Sequence, residues 1–238
     1  VVANGDNEEV RKINYKTKVL FYGFNDKNDI VIKNMELLET GSVFDLYMNN
    51  EFYGHFDIPL YGSHMVANAA AAITIAKELG LKQETIHNLL ETFHNAKRRF
   101  AEEKVGDCII IDDYAHHPTE IKVTLEAVKQ KYPNKRLVVV FVPNTYSRTR
   151  DFKDEFIDSF KIADKTYLTE IDCNRERPED YPKITSHIIV DKLASGDMIS
   201  LDTMDKLKNE KSSVVCFLGC APVDKLIDKF KSVINQGE

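Results

Sequence analysis

Between residues 17 and 58 the chain breaks into short β-rich runs, 17–22 (KVLFYG), 30–38, 42–48 and 52–58. SVFDLYM and EFYGHFDI flank Asn49-Asn50, a pair that tolerates the positive φ of a tight turn, so these two runs predict a hairpin. Residues 64–79 are Ala-rich with helical spacing and are stopped by Gly80; a second helix is predicted over 83–93. Residues 95–103 (NAKRRFAEE) are polar and basic and read as a linker. After it the rhythm changes. Strand-like runs at 108–112 (CIIID), 136–142, 165–169, 197–201 and 213–219 alternate with helical stretches near 118–131, 151–162, 186–194, 202–208 and 222–233. That alternation implies right-handed crossovers and a mostly parallel sheet. The expected fold class is therefore α/β, with a doubly wound domain over 97–238. Residues 1–96 read as the tail of another domain, a hairpin layer and two helices without a complete sheet. The chain opens without Met in what reads as the end of a strand, and the expectation is a piece of a longer protein.

Composition narrows the classes. With 43% hydrophobic and 29% charged residues the chain is ordinary globular protein. A net charge of −6 leaves no basic footprint for nucleic acid. No apolar run approaches the roughly 18 residues of a membrane span, and the first residues carry no signal-peptide pattern. Cys108, Cys173, Cys216 and Cys220 sit at no metal-ligand spacing and read as reduced, buried thiols, so the expected location is cytoplasmic.

Four stretches carry chemistry. DDYAHHPTE (112–120) follows a strand buried on both faces, and the carboxyl end of a parallel strand is where α/β sheets place ligands. Pro118 fits the first turn of a helix, whose N-terminus favours a carboxylate or phosphate. PNTYSRTRD (143–151) is a second strand end, in which Arg148 and Arg150 offer paired N–H donors to a carboxylate. The strands over 108–112 and 137–142 are consecutive, so their loops are expected side by side, with His116 and Arg148 aimed at one small anion. In YGSHMVAN (61–68), His64 and Asn68 share one face at a helix start, a surface suited to an adenine ring. KRRF (97–100) puts two arginines within reach of a phosphate. A solvated turn or a simple cap would spell each of these in isolation; their combination is the signal. Neither a glycine-rich triphosphate loop nor a dinucleotide fingerprint is present in the sequence.

In this order the pieces resemble the Mur ligases, from residue 1 to about 235 and most strongly in DDYAHHPTE, KRRF and YSRTRD. The resemblance implies the last part of a central ATPase domain (1–96) joined to a Rossmann-like amino-acid-binding domain (97–238). It implies an ATP-dependent ligase, inactive as this piece alone, with ATP, Mg²⁺, UDP-N-acetylmuramate and L-alanine as cofactors and substrates. His64, Asn68, Arg99 and Asp113 match ATP-contacting positions. Tyr114, His116 and Arg148 match the amino-acid site, and no metal ligand falls in this chain. Met65, Asn144, Asp172 and the turn from Gly219 to Pro222 depart from the family pattern, which bears on amino-acid specificity. A tripeptide-recycling relative and a non-catalytic α/β ligand-binding module are the competing readings.

Overall fold

The computed structural model describes residues 1–173 and 175–235. It separates into two compact units, Val1–His94 and the chain from Asn95 onward.

The first unit contains β1 (Val2–Asn4), α1 (Glu8–Arg11), β2 (Leu20–Gly23), β3 (Ile30–Leu38), β4 (Gly41–Met48), β5 (Glu51–Ile58), α2 (Ser63–Glu78) and α3 (Gln83–Glu91). The hairpin forms as expected: β4 and β5 pair antiparallel across Asn49 and Asn50, at φ 49° and 67°. The rest is fuller than expected. The strands make one five-stranded sheet in the order β1-β2-β3-β4-β5, with β1, β2 and β3 parallel. Phe44, Leu46, Phe56 and Ile58 from the hairpin pack with Val66, Ala70 and Ile73 of α2 and Ile86 of α3. Alternation along β4 and β5 supplies one buried face, and the small residues of α2 let it lie close to the sheet. Gly41 is required where it stands: its φ is 151°, and a Cβ would meet the Ile58 carbonyl oxygen at 2.3 Å.

The second unit contains β6 (Ala101–Val105), β7 (Cys108–Asp113), α4 (Pro118–Lys131), β8 (Leu137–Phe141), α5 (Tyr146–Asp151), α6 (Lys153–Phe160), β9 (Lys165–Leu168), α7 (His187–Val190), β10 (Gly196–Met198), β11 (Val214–Leu218) and α8 (Asp224–Asn235). The sheet order is β10-β9-β8-β11-β7-β6, parallel except for β6. Period-two alternation sends Ile109 and Ile111 to one face with Ile121, Leu125, Phe156, Phe160 and Ile189. Ile110 goes to the other face with Val138, Val140, Phe217, Leu226 and Phe230. Apolar cores on both faces are what make this unit doubly wound.

Three expectations are corrected here. The stretch read as a linker runs into β6, an edge strand antiparallel to β7. Its residues are mostly exposed, so its letters are polar. The strands β7 and β8 are not neighbours, because β11, the last in the chain, inserts between them and pairs with both. The loops after β7 and β8 therefore flank the turn after β11 and stand about two strand spacings apart, roughly 10 Å. Finally, only Cys108 and Cys216 are buried, while Cys173 and Cys220 are half-exposed; all four are free thiols.

Candidate functional site

The carboxyl edge of the second sheet is tied together by backbone. The Gly219 N–H donates to the Asp113 carbonyl (3.2 Å) and the Val142 N–H to that of Leu218 (2.9 Å), so the ends of β7, β11 and β8 form one ridge. Gly219 has φ 148°, and a Cβ there would meet the Val142 carbonyl oxygen at 2.9 Å. This is the crevice where the strand order reverses, the usual ligand position in an open α/β sheet.

Asp113 ends β7 and is 6% exposed. Its carboxylate accepts from the Phe100 N–H (2.7 Å), the Ala115 N–H (2.8 Å) and, at 3.5 Å, the Thr124 hydroxyl. Burial pushes its pKa up, against the downward pull of these N–H donors and of Arg99. It is a latch between the start of β6 and the loop after β7. Asp112 pairs with Arg98 (3.2 Å), whose Nη2 also donates to the carbonyls of Gly219 (2.6 Å) and Ala221 (3.1 Å). Arg98 sits in the left-handed region, at φ 59°, so the backbone bends to place this fork.

Tyr114 is 37% exposed. The guanidinium groups of Arg98 and Arg99 lie 5.3 Å and 5.2 Å from its ring centroid, and the His116 ring meets it edge-on at 5.4 Å. His116 Nδ1 lies 3.0 Å from the Tyr114 carbonyl oxygen and 3.2 Å from Glu120 Oε2. Both partners are acceptors, so Nδ1 carries the proton, and in the neutral ring Nε2 keeps its lone pair. Arg99, Asp113, Tyr114 and His116 are thus brought together.

The anion pocket expected at the start of α4 is already filled from within. Glu120 Oε2 accepts the N–H groups of His116 (3.0 Å) and His117 (3.2 Å), while His117 Nδ1 accepts from the Thr119 N–H, a capping box. Burial alone would raise the Glu120 pKa; the His116 and His117 N–H donors and nearby positive charge outweigh it and hold the carboxyl below its usual range. His117 packs its ring on Phe152 at 4.7 Å. Of the adjacent histidines, His117 builds the cap and His116 faces the Tyr114 cluster.

Arg148 lies on α5, in the loop region after β8. Its Nη1 is buried and has no hydrogen-bond partner. Since β11 intervenes, no hydrogen bond joins Arg148 to His116 among the described residues. The helix carrying it is capped from far along the chain. Glu176 accepts the N–H groups of Tyr146 (2.6 Å) and Ser147 (3.1 Å) and the Ser147 hydroxyl. Tyr181 stacks on Tyr146 with centroids 5.6 Å apart. Asn174, inside the segment 169–176, lies outside the described residues.

His64 and Asn68 belong to the first unit. The N-terminus of α2 is capped by Gly62, at φ 91°, with no side-chain cap. His64 Nδ1 is buried without a partner, and burial lowers its pKa, so the ring is neutral near pH 7. An orphaned buried nitrogen beside an open helix start fits a heterocycle or a phosphate ester. Asn68 is exposed, and its side-chain amide donates to Met65 Sδ at 3.9 Å. A metal ion fits less well: among the described residues no group of three His, Cys, Asp or Glu converges on one point. The carboxylates of the second-unit cluster, Asp112, Asp113 and Glu120, are engaged by Arg98 and by backbone N–H groups. No described helix is long and apolar enough to cross a membrane.

Arg98, expected as one of two arginines reaching a phosphate, is instead engaged by Asp112 and the carbonyls of Gly219 and Ala221, and Glu120 and Glu176 were not singled out from the sequence. For Glu120 a signal existed, an acid three residues after the capping His117. For Glu176, 29 or 30 residues from its partners, there was none.

Comparison with known proteins agrees with this architecture. Residues 98–220 match the Mur ligase, glutamate ligase domain, and residues 1–76 the Mur ligase middle domain. Among solved structures, UDP-N-acetylmuramate-alanine ligase from Thermotoga maritima is similar with a TM-score of 0.74 at 21% identity, over 92% of this chain and 48% of that one. MurF from Acinetobacter baumannii follows at 0.72 and 18%, over 90% and 47%. Folylpolyglutamate synthase from Thermotoga maritima shares the fold at 0.59 and 14%, over 93% and 49%. The chain therefore spans about half the length of these relatives. Two consecutive domain matches over this fold, one of them covering more than half of the chain, place it in the Mur ligase family.

Proposed function

We propose that this chain supplies the nucleotide-facing end of the middle domain and the whole amino-acid domain of an ATP-dependent ligase that joins L-alanine to UDP-N-acetylmuramate. The observation that carries the reading is Arg148: a guanidinium nitrogen out of water with no acceptor, beside the switch-point crevice of a parallel sheet. Leaving such a donor unpaired is costly, and the α-carboxylate of an amino acid satisfies it with a charge-assisted bond. YSRTRD, the stretch that contains Arg148, favours the alanine-adding member over its tripeptide-recycling relative.

The roles divide as follows. Arg148 holds the carboxylate of the incoming amino acid. Tyr114 and His116 form the other wall, where the Nε2 lone pair of His116 faces a positively charged amino group. Arg99, exposed on the Tyr114 ring, meets ATP phosphates, and His64 with Asn68 receives the adenine. Asp113 contributes by fixing the backbone at Phe100 and Ala115 beside Arg99 and Tyr114. In the reaction the γ-phosphoryl group of ATP passes to the muramyl carboxylate, giving an acyl phosphate and ADP. The ammonium group gives up one proton to solvent, the free amine attacks the acyl carbon, the C–O bond to phosphate breaks, and the second amine proton leaves with the departing phosphate, so that an amide and inorganic phosphate result. When bound, Mg²⁺ would neutralise phosphate charge, and no residue of this chain is assigned to it. The residues here act by positioning and by electrostatics.

The test is phosphate release by the full-length ligase with ATP, Mg²⁺ and UDP-N-acetylmuramate, and with L-alanine, glycine, L-serine or an L-Ala-containing tripeptide in parallel. The expected result is release that depends on L-alanine. Release with the tripeptide alone would reassign the chain to the recycling reaction. No release from a folded protein with any of them would overturn ligase activity itself.

A further inference from the structure

We infer that Glu176 is a positioning residue for the amino-acid pocket, acting through α5 on Arg148; the inference rests on the ligase reading above. A six-residue helix has too few internal hydrogen bonds to fix its own start, and Thr145 at its N-cap contributes no side-chain bond to the first turn. The missing acceptor comes from the loop after β9. One carboxylate oxygen of Glu176 takes the Tyr146 and Ser147 N–H groups and the other takes the Ser147 hydroxyl. Three donors on two successive residues fix both the position and the rotation of the first turn. Arg148 is the next residue, so its direction is set by that turn.

The supporting frame is built around the same acid. Tyr181 stacks on Tyr146 at an interplanar angle of 14°, and the Arg150 guanidinium lies 5.5 Å over the Tyr181 ring. Cys173 Sγ accepts the Glu176 N–H at 3.2 Å, holding the loop that delivers the carboxylate. The side of the helix start that a substrate carboxylate would otherwise use is thus closed by Glu176. The unpaired Nη1 of Arg148 is left as the place for that charge. Glu176 touches no reactant; it decides where Arg148 stands.

The experiment compares Glu176→Ala, Glu176→Gln and Arg148→Met with the wild type in the full-length ligase, measuring KM for L-alanine, KM for ATP and kcat. Losing a helix cap of this kind is expected to raise KM for L-alanine about tenfold in Glu176→Ala, with KM for ATP within about twofold. Glu176→Gln keeps one oxygen for the two N–H groups and is expected to recover most of the loss. An unchanged KM for L-alanine in Glu176→Ala, while Arg148→Met raises it, would overturn the positioning role and leave the pocket standing. Equal rises in both KM values would also overturn it, since general loosening of the fold acts on both substrates. If Arg148→Met leaves KM for L-alanine unchanged, or the wild type shows no alanine-dependent release, the pocket reading fails and this inference fails with it.

Discussion

At the scale of single residues, the site is defined by which polar groups are already satisfied and which are not. Asp112, Asp113 and Glu120 are the carboxylates of DDYAHHPTE, yet each is bonded inside the fold. Among the described residues, Arg148 Nη1 and His64 Nδ1 are the buried side-chain polar atoms without partners. A folded chain tolerates few such atoms, and those at a crevice mark where a ligand completes the bonding. His116 belongs with them for a different reason: fixing Nδ1 between two acceptors leaves Nε2 as an acceptor. On the proposed ligase reading, replacing Arg148 or His116 by Ala in the full-length protein is expected to raise KM for the amino acid far more than KM for ATP. One charge-assisted hydrogen bond is worth roughly 1.5–3 kcal/mol, about 10- to 150-fold in KM. Steady-state kinetics with each substrate varied in turn checks this, and equal effects on the two KM values would count against the assignment.

At the scale of elements, what the sequence could reveal follows from what local pattern encodes. The strand β3, the helix α4 and the Asn49-Asn50 turn fall where the pattern puts them, because β-rich composition, Pro118 and tolerance of positive φ are local properties. The edge strand β6 was hidden because its pairing uses backbone alone and leaves its side chains mostly in water. The helix predicted over 151–162 forms as α6, and a separate short helix, α5, precedes it; the two are parted at Phe152, whose backbone leaves the helical region at φ −112°, ψ 23°. Nor could the insertion of β11 between β7 and β8 be read from strand order, since all three begin as buried apolar runs. The start of α4 shows how local and non-local terms combine. The folded environment holds Glu120 below its ordinary carboxyl range, so the folded state binds that proton less tightly than the unfolded chain does. Its stabilisation is fully present above the unfolded value of about 4.5 and is lost as pH falls through the folded one. Glu120→Ala is expected to cost about 1 kcal/mol near pH 7, a usual figure for a helix cap. Urea unfolding across pH should show that gap constant down to about pH 5 and closing below it; a gap that widened in acid would refute the capping role.

At the scale of the whole molecule, the chain is two units, each with its own core, and all four cysteines lie in the second. That gives the unit a built-in reporter. Cys216 is fully enclosed beneath the sheet's helical cover, and burial raises its thiol pKa far above the ordinary value. Burial also pushes the Cys108 thiol up to about 11, against the pull of its backbone hydrogen bonds. Reaction with a thiol reagent requires both access and the thiolate, and these two residues have neither in the folded state. Cys173 and Cys220 are half-exposed, in the loop that delivers Glu176 and in the turn held by Arg98. Two thiols should therefore label quickly under native conditions, and two only as fast as the unit unfolds. The same measurement tests whether the second unit stands alone. Its two faces are covered by its own helices, so residues 95–238 produced separately should protect Cys108 and Cys216 as the whole chain does. Mass spectrometry of the labelled peptides over time reads this directly. If Cys108 and Cys216 react as fast as Cys220 in the shortened chain, the second unit owes its packing to residues 1–94, and the proposed amino-acid pocket cannot be treated as a property of that unit alone.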